Sequence, residues 1–422
     1  MNILVIGSGA REHALCWRIS QSPKCGQIFC APGNAGIANV AQCLDIKAEN
    51  VPAILAWCTE NRPDLVVIGP DGALAEGLVD ALEAAGIKAF GPSKEAAKIE
   101  WSKAFMKDLA RKAGIPTAAY GRFQDIEAAK KFINIMAPPI VVKADGLALG
   151  KGVIICEDHL EAISAAENML SGRLFGDAGA EIVIEEFLHG FEASYFAMVD
   201  GRNVLPFGVA QDHKRAFDGD AGPNTGGMGA ISPVVGFTPE VEELVIKEVI
   251  QPLADALADM GTPYSGVVFA GLMIQDDKPC LIEFNARWGD PECQSLMCLW
   301  QDDPIDYFMA VANHDVSGLA RPTLAKKAAF GVVIASKGYP DTYEKGTSVR
   351  LPDTLPTNVQ VFHAGTAIRD DELVNTGGRT FTVVATADTL AQAKDDAYEF
   401  INTIDWPQGY YRSDIGWRAF AA

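Results

Sequence analysis

The sequence predicts a multidomain protein that begins with a parallel α/β domain and continues in α+β units. Its 422 residues are enough for two to four domains. In the first hundred residues, short apolar runs alternate with helical patterns, which is typical of a parallel sheet covered on both faces. Beyond residue 102, strand-like runs follow one another through tight glycine turns, which is typical of antiparallel pairing.

The N-terminal domain is predicted to span residues 1–101. Strands are expected at 2–6, 27–31, 65–68 and 87–90, with helices at 10–21, 51–61 and 74–85. After the Gly91-Pro92 turn, Ser93 is placed to cap the helix that follows.

The central part, residues 102–322, is predicted to be largely antiparallel. Strands are expected at 140–144, 153–156, 182–186, 193–200, 204–208, 266–274 and 279–285, with helices at 160–170 and 239–259. The last two strands are joined by Asp276-Asp277 as a hairpin. A third strand-rich unit is expected over 323–422, with strands at 328–335, 359–363 and 380–387 and a helix at 390–404.

Composition excludes several classes of protein. The formal net charge of −20 argues against a broad nucleic-acid or anionic-membrane surface, so any anionic substrate must be held by local basic clusters. Nine scattered cysteines without metal-ligand spacing indicate a reducing compartment. The first residues lack the features of a signal peptide, and no apolar run reaches 18 residues. A cytoplasmic protein without membrane or nucleic-acid partners is predicted.

The first glycine turn, which contains Gly7 and Gly9, follows a strand and opens a helix. Such a turn lets a ligand approach the backbone, and the helix N-terminus attracts phosphate. An NAD fingerprint would need a small residue where Glu12 stands and an acidic residue at the end of the second strand. Arg11 suits a phosphomonoester better, and Asp71 is placed to reach a ribose hydroxyl. The alternative is a structural turn without a ligand.

Two further segments favour a nucleotide. Lys143 lies on a strand before a glycine-rich turn that contains Gly146 and Lys151, which predicts a flap that closes over polyphosphate. The alternative there is a solvated hairpin. The strand that ends at 185–188 is placed to present its backbone to an adenine edge, with Glu192 for the ribose. The alternative there is an acidic strand end facing water.

Strand alternation places Glu283, Asn285 and Arg287 on one face of an apolar strand. A carboxylate and an amide oxygen suit Mg²⁺, and the guanidinium beside them suits a transferring phosphoryl group. The alternative is a strand face occupied by salt bridges. A basic cluster at 212–215, followed by the glycine-rich segment 222–229, suggests an anion clamp and a lid.

In this order, the segments resemble the ATP-grasp superfamily and, within it, the phosphoribosylamine–glycine ligase (glycinamide ribonucleotide synthetase) family. The resemblance runs from Met1 to about Arg418. The strings that carry it are G-S-G-A-R-E-H at 7–13, A-P-G-N-A-G at 31–36, K-A-D-G-L-A at 143–148, D-H-K-R at 212–215, G-P-N-T-G-G-M-G-A at 222–230, E-F-N-A-R-W-G-D-P-E at 283–292 and D-I-G-W-R-A at 414–419.

The resemblance implies an N-terminal α/β domain, a central ATP-grasp fold with a mobile lobe at about 120–190, and a C-terminal α+β domain. It also implies ATP-dependent ligation of glycine to 5-phosphoribosylamine through glycyl phosphate, which gives glycinamide ribonucleotide, ADP and phosphate in purine biosynthesis. ATP is then a co-substrate, Mg²⁺ or Mn²⁺ is the metal, and a monomer is expected.

By motif position, the resemblance assigns the site residues. Those for ATP are Lys103, Lys143, Gly146, Lys151, Glu185, Glu186, Phe187, Leu188 and Glu192. Those for phosphoribosylamine are Gly9, Arg11, Glu12, Asp71 and His213, with Asp290 or Glu292 for the glycine ammonium. Those at the reacting groups are Arg287, Lys214 and Asp212, with Glu283 and Asn285 as the metal ligands.

Each of three rival functions disagrees with a feature of the sequence. A dehydrogenase would need the missing parts of the NAD fingerprint. Another ATP-grasp ligase or carboxylase of purine biosynthesis would lack the strings at 212–215 and 222–229. A non-catalytic nucleotide-binding module would have lost a metal ligand.

Overall fold

The computed structural model describes residues 1–146, 152–172 and 179–420. The first part is a sheet of five parallel strands in the order β3-β2-β1-β4-β5, which confirms the predicted α/β domain. Its elements are β1 (Asn2–Gly7), α1 (Ala10–Ser20), β2 (Gln27–Pro32), β3 (Gln42–Cys43), α2 (Val51–Asn61), β4 (Leu65–Ile68), α3 (Asp71–Ala75), α4 (Leu78–Ala84) and β5 (Ala89–Phe90).

The helix predicted at 74–85 is interrupted. Gly77 has a positive φ of 79°, which ends α3 and lets α4 begin in another direction. Because β1 and β4 are neighbouring parallel strands, the turn after Gly7 and the segment before Asp71 lie side by side at their carboxyl ends. This edge faces the site described below.

A short helical connection leads to a four-stranded antiparallel sheet in the order β6-β9-β7-β8. The elements are α5 (Lys98–Trp101), α6 (Lys103–Ala113), β6 (Tyr120–Phe123), α7 (Ile126–Ile133), β7 (Ile140–Ala144), β8 (Val153–Cys156), α8 (His159–Leu170) and β9 (Ile182–Glu186). Buried side chains of α7 and α8 pack on one face of the sheet in a core of their own. The mobility of this lobe stays a prediction.

The next elements include the strands at the centre of a large, mainly antiparallel sheet, together with a separate two-stranded sheet formed by Arg215–Phe217 and Ala221–Asn224 and several helices. They are β10 (Phe191–Asp200), β11 (Asn203–Asp212), β12 (Arg215–Phe217), β13 (Ala221–Asn224), β14 (Gly229–Ser232), α9 (Pro239–Val245), α10 (Gln251–Asp259), β15 (Ser265–Gln275), β16 (Lys278–Asn285), α11 (Glu292–Leu299) and α12 (Pro304–Ala312). The predicted helix at 239–259 contains a π-helical segment, Ile246–Ile250. Pro252 follows it and has no N–H for an ordinary helical bond, which accounts for the irregular turn.

The C-terminal elements are β17 (Ala328–Ser336), β18 (Val359–His363), β19 (Thr366–Arg369), β20 (Glu372–Asn375), β21 (Arg379–Ala387), α13 (Leu390–Ile401) and β22 (Gly409–Tyr410). They have a separate apolar core, but their strands continue the large sheet in the order β16-β15-β10-β11-β14-β17-β21-β18. The joint is the pairing of β14 with β17. Because one sheet crosses the predicted boundary at 322/323, the C-terminal side chains reach the central site.

Among the described residues, the helices are too short or too polar to cross a bilayer.

Candidate functional site

A cavity of about 820 Å³ lies where the N-terminal sheet, the small lobe and the large sheet meet. Most of the predicted site residues line it. They are Arg11, Asp71, Lys103, Lys143, Gly146, Glu185, Glu186, Phe187, Leu188, Glu192, Asp212, His213, Lys214, Glu283, Asn285, Arg287, Asp290 and Glu292. Gly9 and Glu12 are not among the lining residues, and Lys151 lies outside the described part of the chain.

The base of the glycine-rich segment is fixed to the start of α6. The Asp145 carboxylate accepts hydrogen bonds from the Ala104 N–H (3.0 Å) and the Ser102 hydroxyl (3.3 Å). The Lys103 ammonium donates to the Gly146 carbonyl (3.4 Å). This places Lys103 beside the first residues of the predicted flap. The rest of the flap, at 147–151, is outside the described residues.

At the end of β9, the two adjacent glutamates have different environments. Glu185 is buried, and its Oε2 lies 3.0 Å from the Lys143 ammonium. The Glu186 carboxylate turns outward and accepts the Ala119 N–H (2.8 Å). The chain then leaves the strand through Phe187 and Leu188 along the cavity wall.

Glu283 and Asn285 share one face of β16 within the cavity. Burial by itself raises the pKa of Glu283. The positive charges of Lys214, Lys143 and Lys103 together lower it by a larger amount, so the pKa lies below its ordinary value. An ionised carboxylate and an amide oxygen are donors that Mg²⁺ accepts, so these residues fit that ion. No group of three or more His, Cys, Asp or Glu in the described parts could hold a metal, so other ligands would come from substrate and water.

Arg287 is held by a residue that the sequence analysis missed. Its NH2 lies 2.7 Å from the Glu100 carboxylate and donates to the Asn285 Oδ1 (3.2 Å). Glu100 also accepts the Ala286 N–H (2.8 Å), and burial raises its pKa. A single acidic residue in a short helix gives no sequence signal for this contact.

Lys214 lies among several acidic side chains. Its ammonium lies 3.6 Å from the Glu192 carboxylate and 3.8 Å from that of Glu283. Burial lowers the pKa of Lys214, but these carboxylates and Asp212 raise it above its ordinary value. Asp212 and Glu292 both have raised pKa values, first because they are buried and, for Asp212, also because Glu292 repels its charge.

The N-terminal turn is organised by Glu12. Its carboxylate accepts the Gly9 N–H (2.7 Å) and the Arg11 Nε–H (2.6 Å). A methyl group on Gly7 or Gly69 would overlap this carboxylate, so it fills the space above the ends of β1 and β4. Glu12 and Gly9 therefore shape the turn behind the cavity, whereas Arg11 lines the cavity itself and donates to the Trp288 carbonyl (3.1 Å).

Both ring nitrogens of His213 contact backbone groups. Nε2 accepts the Gly416 N–H (2.8 Å), and Nδ1 lies 3.3 Å from the Gly229 carbonyl oxygen. Burial, followed by the nearby Arg412 charge, lowers the pKa of His213 to about 4. The imidazole therefore links the basic cluster at 212–215 to the C-terminal segment at Gly416 by a hydrogen bond.

Three cavity residues from the C-terminal part were not predicted: Tyr339, Arg379 and Arg418. Arg379 NH1 donates to the carbonyls of Gly226 (2.6 Å) and Asp290 (2.9 Å), and its NH2 lies 3.1 Å from the Asp290 carboxylate. Arg418 belongs to the string at 414–419, which was a signal for it. Arg379 lies in no such string and is found only through the continuous sheet.

Family models match nearly all of the chain. The N domain of phosphoribosylglycinamide synthetase matches residues 1–100, its ATP-grasp (A) domain matches 101–293, and its C domain matches 329–418. The chain is 50% identical to the phosphoribosylamine–glycine ligase of Brucella melitensis, over 99% of this chain and 98% of that protein. It is 46% identical to the chloroplastic phosphoribosylamine–glycine ligase of Arabidopsis thaliana, over 97% of this chain and 78% of that protein.

Solved structures show the same architecture. The phosphoribosylamine–glycine ligase of Thermotoga maritima superposes with a TM-score of 0.86 at 32% identity, covering 98% of this chain and all of that one. The biotin carboxylase domain of the Hydrogenobacter thermophilus 2-oxoglutarate carboxylase superposes with a TM-score of 0.74 at 18% identity, covering 97% of this chain and 91% of that one. The second similarity concerns the fold alone.

Proposed function

The chain belongs to the phosphoribosylamine–glycine ligase family, and from this premise we propose which of its residues carry out the reaction. The enzyme joins glycine to 5-phosphoribosylamine with ATP in purine biosynthesis. A carboxylate is a poor electrophile, so glycine first attacks the γ-phosphorus of ATP, and ADP leaves. The amine of phosphoribosylamine then attacks the carbonyl carbon of glycyl phosphate, and phosphate leaves as glycinamide ribonucleotide forms.

The observation that supports this assignment most strongly is the single cavity in which lysines, a Glu–Asn pair and Arg287 meet. In both steps negative charge builds up on a leaving phosphate oxygen, and neither step needs a protein nucleophile. Catalysis then depends on placing the reactants and neutralising their charge.

We assign ATP to the side of the cavity formed by the small lobe. Lys103, Lys143, Gly146 and Lys151 hold the phosphates, because cations and backbone N–H groups bind them together. The segment 185–188 contacts adenine, and Glu192 accepts hydrogen bonds from the ribose hydroxyls.

Glu283 and Asn285 hold Mg²⁺ or Mn²⁺ in this proposal. When bound, the ion supplies neutralisation of the β- and γ-phosphate charge. Arg287, kept in place by Glu100, contacts the phosphoryl group during its transfer.

Glycine is placed beside Asp212 and Glu292. Asp212 is half-buried and Glu292 is buried, and their carboxylates repel each other, so an ammonium group between them is favourable. The Asp290 carboxylate already pairs with Arg379 and accepts a hydrogen bond from the Gln294 side chain. Glu292 is therefore the better of the two residues predicted for the glycine ammonium. The raised pKa of Asp212 suits it to take the proton that the attacking amine loses. Lys214 stays charged beside this group and stabilises the acyl phosphate.

Phosphoribosylamine is assigned to the opposite side of the cavity, between Arg11, Asp71 and Arg379. The two guanidinium groups favour its phosphate, and the Asp71 carboxylate favours its hydroxyls. A monomeric, cytoplasmic enzyme is part of the same proposal. The nine free cysteines in the described residues support a reducing compartment.

The test is glycine-dependent release of ADP, with phosphoribosylamine generated in the assay from ribose 5-phosphate and ammonia. ADP and glycinamide ribonucleotide should form in equal amounts, and omission of either glycine or the amine should stop product formation. ADP release that depends on bicarbonate instead of glycine would favour the carboxylase alternative.

A further inference from the structure

Lys107 is a fully buried lysine on α6 behind the nucleotide side of the cavity. It is not among the residues that line the cavity, and its side chain is covered by protein on all sides. Its ammonium donates to the Thr117 hydroxyl (2.7 Å), which in turn donates to the Leu281 carbonyl (2.7 Å). The same ammonium lies 3.0 Å from the Oε2 of Glu185.

Glu185 is therefore held by two cations through one oxygen. Lys107 and Lys143 each lie 3.0 Å from Oε2, and all three side chains are buried. The other oxygen, Oε1, is buried and has no hydrogen-bond partner among the described residues. Since Glu185 lines the cavity, Oε1 is the oxygen left for a ligand.

We propose that Lys107 is a positioning residue that makes the enzyme select adenine over guanine nucleotides, by holding Glu185 through Oε2 so that Oε1 is left for the base. The inference rests on the proposed placement of adenine at 185–188.

The selection follows from hydrogen-bond chemistry. A carboxylate oxygen accepts hydrogen bonds from N–H groups and has none to donate. Adenine has an amino group at position 6 and guanine has a carbonyl oxygen there. When Oε1 of Glu185 is held facing this position, it accepts a hydrogen bond from the adenine amino group and repels the guanine oxygen.

Lys107 fixes the orientation of Glu185 because it holds Oε2 from the side away from the cavity, where it also donates to the Thr117 hydroxyl. Lys143 is the other cation on Oε2, but in the proposed function it also binds the ATP phosphates. Burial lowers the pKa of Lys107 to about 8, which still leaves most of its ammonium groups charged at pH 7. Without Lys107, the carboxylate has one cation fewer to hold it. Oε1 is then no longer kept in place for the adenine amino group, and the preference for adenine over guanine weakens.

The experiment compares kcat/KM for ATP and for GTP in the full-length protein, with glycine and phosphoribosylamine saturating. Lys107→Met should lower the ATP-to-GTP ratio about tenfold or more, as expected for the loss of a hydrogen bond to a charged group. The KM for glycine should stay unchanged. Thr117→Val is the matched control, because it removes the other partner of Lys107 but no charge, and it should keep the ratio.

A double-mutant cycle shows whether Lys107 acts through Glu185. In a Glu185→Gln background, which has no carboxylate for Lys107 to hold, Lys107→Met should leave the ATP-to-GTP ratio unchanged. Lys107→Gln gives the same comparison if Lys107→Met does not fold.

Equal losses with ATP and GTP in Lys107→Met, or the same change of ratio with and without Glu185, would overturn the proposal. Glycine-dependent ADP release by the unaltered protein tests the proposed function separately. If that activity is present and the ratio is unaffected by Lys107, only this inference fails.

Discussion

Three buried histidines should make the folded protein sensitive to mild acid. His13 Nδ1 accepts the His363 N–H (2.8 Å), and His213 Nε2 accepts the Gly416 N–H (2.8 Å), so neither nitrogen can carry a proton in the fold. Burial lowers the pKa of His13 to about 3 and those of His213 and His363 to about 4; the neighbouring His363 contributes to the shift of His13.

The sign follows from proton binding. In the unfolded chain these rings take up protons as the pH falls through about 6.5, whereas the folded protein leaves them neutral down to about pH 4. Stability present above pH 6.5 is therefore lost between pH 6.5 and 4. At pH 5.5, each histidine lowers the free energy of unfolding by about 1.4 kcal/mol, and the three together by about 4 kcal/mol. That is a large part of a typical stability of about 5–15 kcal/mol.

The measurement is chemical unfolding at pH 7.5 and pH 5.5. The variants His13→Gln and His213→Gln keep a hydrogen-bond acceptor but do not titrate, so each should reduce the difference between the two pH values by about 1.4 kcal/mol. His189→Gln is the control, because His189 is exposed and its replacement should leave the difference unchanged. Variants that retain the whole pH difference, or ring resonances of His13 and His213 that titrate near pH 6.5 in the folded protein, would refute the reasoning.

The remaining predictions concern the site. Glu283→Gln should lower kcat by about a hundredfold or more, because a ligand charge next to the phosphates is lost, and combining it with Asn285→Ala should cost less than the two separate losses together. Fully additive losses in ADP-release assays would show that the two residues do not share an ion. Arg11→Ala should raise the KM for phosphoribosylamine and leave the ATP affinity, measured by calorimetry, unchanged. An equal loss of ATP affinity would show that Arg11 belongs to the ATP site instead. Arg379→Met should raise the same KM and lower the free energy of unfolding by about 1–3 kcal/mol, because the half-buried Asp290 loses a charged partner. An unchanged KM would limit Arg379 to a structural role.

The sequence by itself determined the features that depend on neighbouring residues. The alternation of Glu283 and Asn285 follows from the two-residue period of a strand. The turn at Gly9, the strand ending at Glu186 and the hairpin at Asp276-Asp277 are likewise local, and the structure has all three. The motif strings at these positions also indicated the family, because many of the site residues lie within these short segments.

Only the tertiary structure decided which distant residues support that site. Glu100 meets Arg287, Lys107 meets Glu185, and Arg379 meets Asp290, although each pair is far apart in the chain. Such contacts depend on how sheets and helices pack, and a single charged residue in a helix or at a strand end gives no local sign of its partner. For the same reason the sequence could not show that the C-terminal strands continue the central sheet. That continuity is what carries Arg379 into the cavity.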